Sequence, residues 1–333
     1  LPIAPDRGFV AGEDYREKTP MASAKRAGYK LATYRSSEGP RAGLVIGDEV
    51  FDAAKLTGKP AYATVLGILD DWKSAEGALK KAAAGAAKSR AKRLPLAKTK
   101  LLAPLRFPST IYCAGANYAD HAAAMAAREN NPPPPDPHEQ GLKPWHFLKA
   151  ARTITDPGAS VKMSGYAKAM DWEIELAAVI GRPAKDVPLG KALDYVAGYT
   201  VANDLSARDR GFRPNVAPTS FFKMDWTKHK SFEGSCPIGP WIVPSSDIAD
   251  PQNLALKTWV NGELKQDSNT GKMLFTLAEQ IEQLSINMTL YPGDLILTGT
   301  PSGTGAESGT FLKSGDVVKL WIEGIGEIEN RVL

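Results

Sequence analysis

Asp171-Trp172-Glu173-Ile174-Glu175-Leu176, running on into Ala177-Ala178-Val179-Ile180-Gly181, sets two carboxylates two positions apart at the start of an otherwise apolar strand. Side chains alternate between the faces of a strand, so Glu173 and Glu175 share one face while Trp172, Ile174 and Leu176 share the other. Two like charges therefore lie side by side. Burying an ionised carboxylate without a partner is costly, so the pair is solvated, matched by basic side chains, or holding a cation.

The segments around this strand repeat its character. Strand-like runs occupy 145–149, 195–202, 254–260, 294–298 and 317–322, separated by Gly/Pro turns, with one helical pattern at 277–285. Further upstream, Ile111-Tyr112-Cys113-Ala114-Gly115 reads as a short strand and 120–130 as an Ala-rich helix that Pro132 to Pro135 forbid from continuing. The stretch to Lys143 then reads as a surface loop, giving a lid around 118–143. This texture predicts an α+β, β-rich domain over 101–333 with a curled, barrel-like mixed sheet, in preference to an alternating βαβ arrangement. Ahead of it, 29–34 and 42–46 form a hairpin, 49–51 a further strand, and 62–91 one or two helices, a small N-terminal α/β unit over 1–100.

Bulk properties exclude several classes. A hydrophobic fraction of 43% and a charged fraction of 23% over 333 residues describe an ordinary globular chain with ample core. The net charge is only +4, and the basic run from Lys88 to Lys100 has no interleaved aromatics, so it reads as a solvated helix end or linker, not a nucleic-acid surface. Cys113 and Cys236 are too isolated for a disulfide framework or a zinc finger and are expected to be free thiols. No apolar run approaches the roughly 20 residues of a membrane span, and 1–20 lacks a signal-peptide core, so a cytoplasmic protein is expected.

Asp204, just past the apolar strand 195–202, is a third acid to weigh with Glu173 and Glu175. Three carboxylates without Cys or His make a hard oxygen site suited to Mg²⁺, Mn²⁺ or Ca²⁺; a solvated acidic face and a turn aspartate are the alternatives. Other chemistry-bearing motifs fail. Gly303-Thr304-Gly305-Ala306-Glu307-Ser308-Gly309 is not a dinucleotide fingerprint and reads as turns, and no P-loop, HExxH or GxSxG is present.

Taken together, Cys113 to His121, Phe147-Leu148-Lys149, Asp171 to Leu176, Asn203 to Asp209, Lys230-Ser231-Phe232, Val260-Asn261-Gly262-Glu263 and Leu290 through Gly303 resemble, in order and spacing, the fumarylacetoacetate hydrolase family over about 107–333. The resemblance implies that Glu173, Glu175 and Asp204 are metal ligands. It implies that His121, on a segment closing over the metal, is a general base toward water, and that Lys230 stabilises negative charge. Tyr118 and Thr300 are implied substrate contacts. Two positions depart from the family pattern: Ala124 stands where many relatives carry a Glu that orients the histidine, and Gly211 where relatives commonly carry a Gln. Asp120, Glu129 or Glu139 could orient His121 instead, and Arg210 or Arg213 could bind a substrate carboxylate bidentately.

The implied function is metal-dependent hydrolysis of a carbon-carbon bond in a 2,4-dioxo acid of acylpyruvate or fumarylpyruvate type, in aromatic or sugar-acid catabolism. The alternative is an isomerase, tautomerase, decarboxylase or hydratase acting through the same enolate, and a third reading is a binding module without turnover. A homodimer and a small-molecule partner, with no nucleic acid or membrane, complete the expectations.

Overall fold

The structure is a computed structural model that describes residues 28–163, 165, 167–217 and 219–333. The amino-terminal 27 residues, including the stretch read for a signal peptide and the start of the N-terminal unit, lie outside the described residues, as does Pro218. The principal strands are β1 (Lys30–Ser36), β2 (Gly39–Ile46), β3 (Glu49–Asp52), β4 (Ile111–Ala114), β5 (His146–Lys149), β6 (Ile174–Ile180), β7 (Val196–Asn203), β8 (Cys236–Pro244), β9 (Ala255–Val260), β10 (Glu263–Asn269), β11 (Leu295–Leu297), β12 (Val317–Ile322) and β13 (Gly326–Val332). The helices that matter below are α1 (Trp72–Gly85), α2 (Ala119–Arg128), α3 (Trp226–Lys230), α4 (Leu277–Asn287) and α5 (Gly305–Ser308).

A large mixed sheet runs in the order Arg93–Pro95, β3, β2, β1, β8, β7, β6, β11, β4, β5. It has two free ends and is not closed into a barrel, while the β-rich α+β class stands. Its inner pairs are antiparallel except β11 with β4, which run parallel through Leu295↔Ile111. A second sheet is ordered β10, β9, β12, β13, Ser160–Val161. The sheet is continuous across the composition change near residue 100, because β1 joins β8 at Leu31↔Ile242.

The alternation read in β6 is what divides the core. Ile174, Leu176, Ala178 and Ile180 enter one cluster with Leu256, Leu320 and Ile281, between the large sheet and the second sheet with α4. Ala177 and Val179, on the same face as the glutamates, enter another with Trp72, Ala75 and Leu79 of α1. These α1 residues recur at helical spacing, which puts a single apolar stripe onto the sheet. Both faces of β6 are therefore covered, and of the three alternatives for the glutamate pair the solvated one is excluded: every residue of the strand is buried. Among the described residues, no helix is long and apolar enough to cross a membrane.

Candidate active site

Antiparallel pairing sets Ile174 opposite Asn203, so the start of β6 lies beside the end of β7. Glu173, Glu175 and Asp204 converge there as a result, locked by Asp204 N–H donating to the Glu173 carbonyl at 2.9 Å and Glu173 N–H donating to Asn203 Oδ1 at 3.1 Å. One oxygen from each carboxylate lies within 4.8 Å of the others, and all three side chains are buried. A fourth buried acid, Asp171, accepts from Gly305 N–H at 2.6 Å and Ala306 N–H at 2.9 Å, tying the loop that carries α5 to the mouth of β6.

Three cations meet these acids. Lys230, the last residue of α3, donates to Glu173 Oε2 and Asp204 Oδ2, both at 2.6 Å. Lys149, the last residue of β5 and fully buried, donates to Asp204 Oδ1 at 2.6 Å and to the backbone carbonyls of Leu205 and Lys230. Arg208 spans Asp171 Oδ2 at 2.9 Å and Glu173 Oε1 at 2.5 Å. Glu175 is left out of this pairing: its one hydrogen bond among the described residues is from Gly299 N–H at 2.7 Å. Burial alone would raise the Glu173 carboxyl, but Lys230 and Arg208 outweigh it and hold it below the ordinary range. Burial pushes Glu175 well above that range, and the negative neighbours Asp204 and Glu173 push it further. A hard, all-oxygen cluster with one uncompensated buried carboxylate fits a divalent cation chemically.

A cavity of about 360 Å³ opens onto this cluster, lined by Glu173, Glu175, Arg208 and Lys230 on one side and by His121, Phe147, Trp226, His229 and Thr300 among others. His121 sits in the first turn of α2, a surface helix none of whose residues is fully buried. Its Nδ1 lies 2.5 Å from Glu307 Oε1. Glu307 in turn accepts through Oε2 from Ser302 Oγ and Gly303 N–H, each at 2.7 Å. Burial would raise this carboxyl, yet the His121 bond and the Gly303 and Ser302 donors bring it below its ordinary range. A carboxylate at Nδ1 favours the tautomer with Nδ1–H donated to it and Nε2 basic.

Glu307 thus fills the place left by Ala124, and none of the three acids expected to do so bonds to the His121 ring, although Asp120 accepts from the His121 backbone N–H at 2.8 Å. Asp120 is committed to Ser268 Oγ at 2.7 Å, Lys272 and the Ser302 N–H, while Glu129 and Glu139 are exposed. Residues 303–309, read as plain turns, are the segment that carries it. Gly303 is the pivot there, with φ +101° and a Cβ position only 1.9 Å from the Lys265 carbonyl oxygen. Gly303→Ala is therefore expected to displace this loop, cutting activity and melting temperature together. An unchanged melting temperature with full activity would show that the loop is not anchored this way.

Thr300 lines the cavity, with its hydroxyl accepting from Gln266 Nε2 at 2.9 Å. Tyr118 is fully buried beneath α2, is not among the cavity-lining residues, and its hydroxyl has no hydrogen-bond partner among the described residues. Arg210 is likewise not brought to the cavity: it lies 3.6 Å from Asp209, and Arg213 is paired with Asp225 at 2.9 Å. Residues two apart on a helical turn point to different sides, so in Arg208–Gly211 it is Arg208 that reaches the acids.

The proline-rich loop expected to form part of a lid docks on α4 through one side chain. His138 Nε2 lies 2.8 Å from Glu279 Oε1 and Nδ1 2.9 Å from Asp136, with its ring 4.8 Å from that of Phe275. Glu279 and Asp136 raise the His138 pKa above 6.5. Since the folded value is the raised one, this contact is fully present below the unfolded pKa and is lost as pH rises through the folded one. Limited proteolysis at 131–142 is expected to accelerate over that rise, and His138→Gln to abolish the dependence; an identical pH profile for the variant would contradict it.

The fumarylacetoacetate (FAA) hydrolase C-terminal family model matches residues 110–333, a span that holds every residue of this cluster. An oxaloacetate tautomerase of Bos taurus is 42% identical over 242 residues, covering 72% of this chain and 71% of that protein. Among solved structures, 2-hydroxyhepta-2,4-diene-1,7-dioate isomerase from Mycobacterium marinum superposes with a TM-score of 0.66 at 31% identity, covering 92% of this chain and 98% of the other. Maleylpyruvate hydrolase from Sphingobium sp. SYK-6, in complex with manganese(II) and pyruvate, gives 0.68 at 28% identity, covering 91% and 98%. With its model spanning both the buried carboxylates and the loop that orients His121, the chain belongs to the fumarylacetoacetate hydrolase family.

Proposed function

We propose that this protein is a metal-dependent enzyme of small 2-oxo acids whose chemical event is proton transfer at the carbon beside a carbonyl, and that it acts as a keto-enol tautomerase or isomerase. The observation that carries this reading is the His121–Glu307 pair facing the buried carboxylates across one cavity. Mg²⁺, with Mn²⁺ or Ca²⁺ as alternatives, would be held by Glu173, Glu175 and Asp204, and when bound it supplies electrostatic stabilisation to negative charge on the substrate oxygens. His121 Nε2 takes the proton from carbon, the C–H electrons become the new carbon-carbon double bond, and the carbonyl oxygen takes up a proton to give the enol. Glu307 holds the ring in the required tautomer and stabilises the imidazolium that forms. Lys230 and Arg208 keep Glu173 ionised, and Lys230 adds positive charge beside the substrate. Similarity to the bovine tautomerase supports this choice of outcome.

A second reading, hydrolysis of a carbon-carbon bond in a 2,4-dioxo acid, is favoured by Glu307 itself. It supplies the orienting carboxylate that Ala124 lacks, so His121 could equally activate a water toward the distal carbonyl. Proton NMR of products separates the two, using Mg²⁺- or Mn²⁺-loaded protein with oxaloacetate, hydroxymuconate-type acids and 2,4-dioxo acids. Tautomer exchange without fragments is the expected result; two fragments from a 2,4-dioxo acid would replace the first reading by the second. No conversion above metal in buffer would defeat both.

A further inference from the structure

Asp171 is fully buried, and its carboxylate is saturated. Oδ1 accepts from Trp172 N–H at 2.8 Å and Gly305 N–H at 2.6 Å, and Oδ2 from Ala306 N–H and Arg208 Nε, each at 2.9 Å. A carboxylate presents about four lone-pair sites, and here donors from three separate segments of the chain fill them. Bonds to an ionised acceptor are roughly twice as strong as neutral ones, so those segments are held firmly to one another.

Two of the donors belong to the turn that carries the partner of His121. Gly305 and Ala306 open α5, and Glu307 is its third residue. A Cβ on Gly305 would lie 2.7 Å from Asp171 Oδ1 and 2.2 Å from the Thr310 carbonyl oxygen, so only glycine lets the carboxylate come this close. A helix of four residues does not fix its own place, and Asp171 does so from outside. Arg128, the last residue of α2, donates to the Ala306 carbonyl and so draws the helix that carries His121 onto the same turn. The remaining donor faces the other way. Arg208 gives Nε to Asp171 and Nη2 to Glu173 Oε1, so one planar guanidinium spans the acid that seats α5 and an acid of the metal cluster.

We infer that Asp171 is a positioning residue for the His121–Glu307 pair, and that Arg208 is the bridge through which this pair and the carboxylate cluster hold one geometry. This rests on the reading of His121 as the general base. Asp171 is not among the cavity-lining residues and acts through Glu307. Misplacing a reacting group by about 1 Å costs on the order of 10²-fold in rate, which is the scale at which such a support matters. Coupling between two sites is reciprocal, so a cation engaging Glu173 changes what Arg208 holds, and the pair responds.

Proton NMR reads the pair directly, because an imidazole N–H donated to a carboxylate gives a signal downfield of the backbone amides. The signal is assigned by its loss in His121→Ala and in Glu307→Gln, and it is recorded with and without Mg²⁺. Asp171→Asn, which keeps the shape and turns one acceptor oxygen into a donor, is expected to abolish or shift the signal and to slow conversion of enolic oxaloacetate about tenfold to hundredfold. In a Glu307→Gln background the same substitution should cost no more than about twofold, since the link it supports is already broken. An equal loss in both backgrounds would make Asp171 a general support of the fold and overturn the positioning role. Arg208→Lys keeps the charge but does not span both acids; Mg²⁺ is expected to move the signal in the parent and to leave it still in this variant. A parent signal indifferent to Mg²⁺, or one that moves equally in Arg208→Lys, overturns the bridge. That comparison carries the test alone should Asp171→Asn fail to fold. If His121→Ala is as fast as the parent, the general-base reading falls and this inference falls with it. If His121→Ala is slow while Asp171→Asn keeps the signal and the rate of the parent, only the inference falls.

Discussion

His121→Ala is expected to lower turnover by about 10²- to 10⁴-fold, the range lost when a positioned general base is removed, with metal stoichiometry unchanged. The ring touches Glu307 and lines the cavity but makes no bond to Glu173, Glu175 or Asp204, so the metal cluster should survive its removal. Glu307→Gln should cost less, about tenfold to hundredfold, because Nε2 stays in place while the ring loses the negative charge that holds its tautomer and stabilises the imidazolium. The pair is coupled, so the double variant should be little worse than His121→Ala alone. Full additivity of the two losses would mean that Glu307 acts elsewhere, for instance only by holding Ser302 and Gly303.

Glu175→Ala carries the second large effect, and its sign depends on the metal. Without metal, removing a buried carboxylate that is paired only with Gly299 N–H and flanked by two other acids relieves repulsion, so melting temperature should hold or rise. With metal, the same variant should lose the stabilisation that ligand binding gives the parent, about 2.7 kcal/mol at a concentration a hundred times the dissociation constant. Asp204→Ala should behave differently. It leaves Lys149 buried without a carboxylate and takes one of two from Lys230, so it should destabilise the protein even without metal. A metal-induced shift surviving in Glu175→Ala would remove that residue from the ligand set.

The sequence made some of this legible and hid the rest for identifiable reasons. Glu173 and Glu175 on one face of an apolar strand posed a charge problem visible without coordinates; the alternation was read from the sequence, whereas the two cores into which it sorts β6 appear only in the structure. The strand β8 escaped because Cys236-Pro237-Ile238-Gly239-Pro240 carries the residues that normally interrupt a sheet, yet it is the strand that joins β1 to β7. β10 and β13 escaped because their sequences are largely polar, with Gln266, Ser268 and Asn330 standing at buried positions. Glu307 was invisible because its bond to His121 spans 186 positions and no local pattern marks it. Arg208 was passed over for Arg210 because only the turn's geometry decides which arginine faces the acids.

Under the proposed function a His121–Glu307 base and a three-carboxylate metal cluster act on one substrate in one cavity. The rate at which enolic oxaloacetate converts to its keto form, followed by ultraviolet absorbance with Mg²⁺-loaded parent, His121→Ala and Glu175→Ala proteins, tests it most directly. The expected result is conversion by the parent well above Mg²⁺ alone, and a rate near that background for both variants. A parent no faster than Mg²⁺ alone, or a His121→Ala protein as fast as the parent, would contradict it.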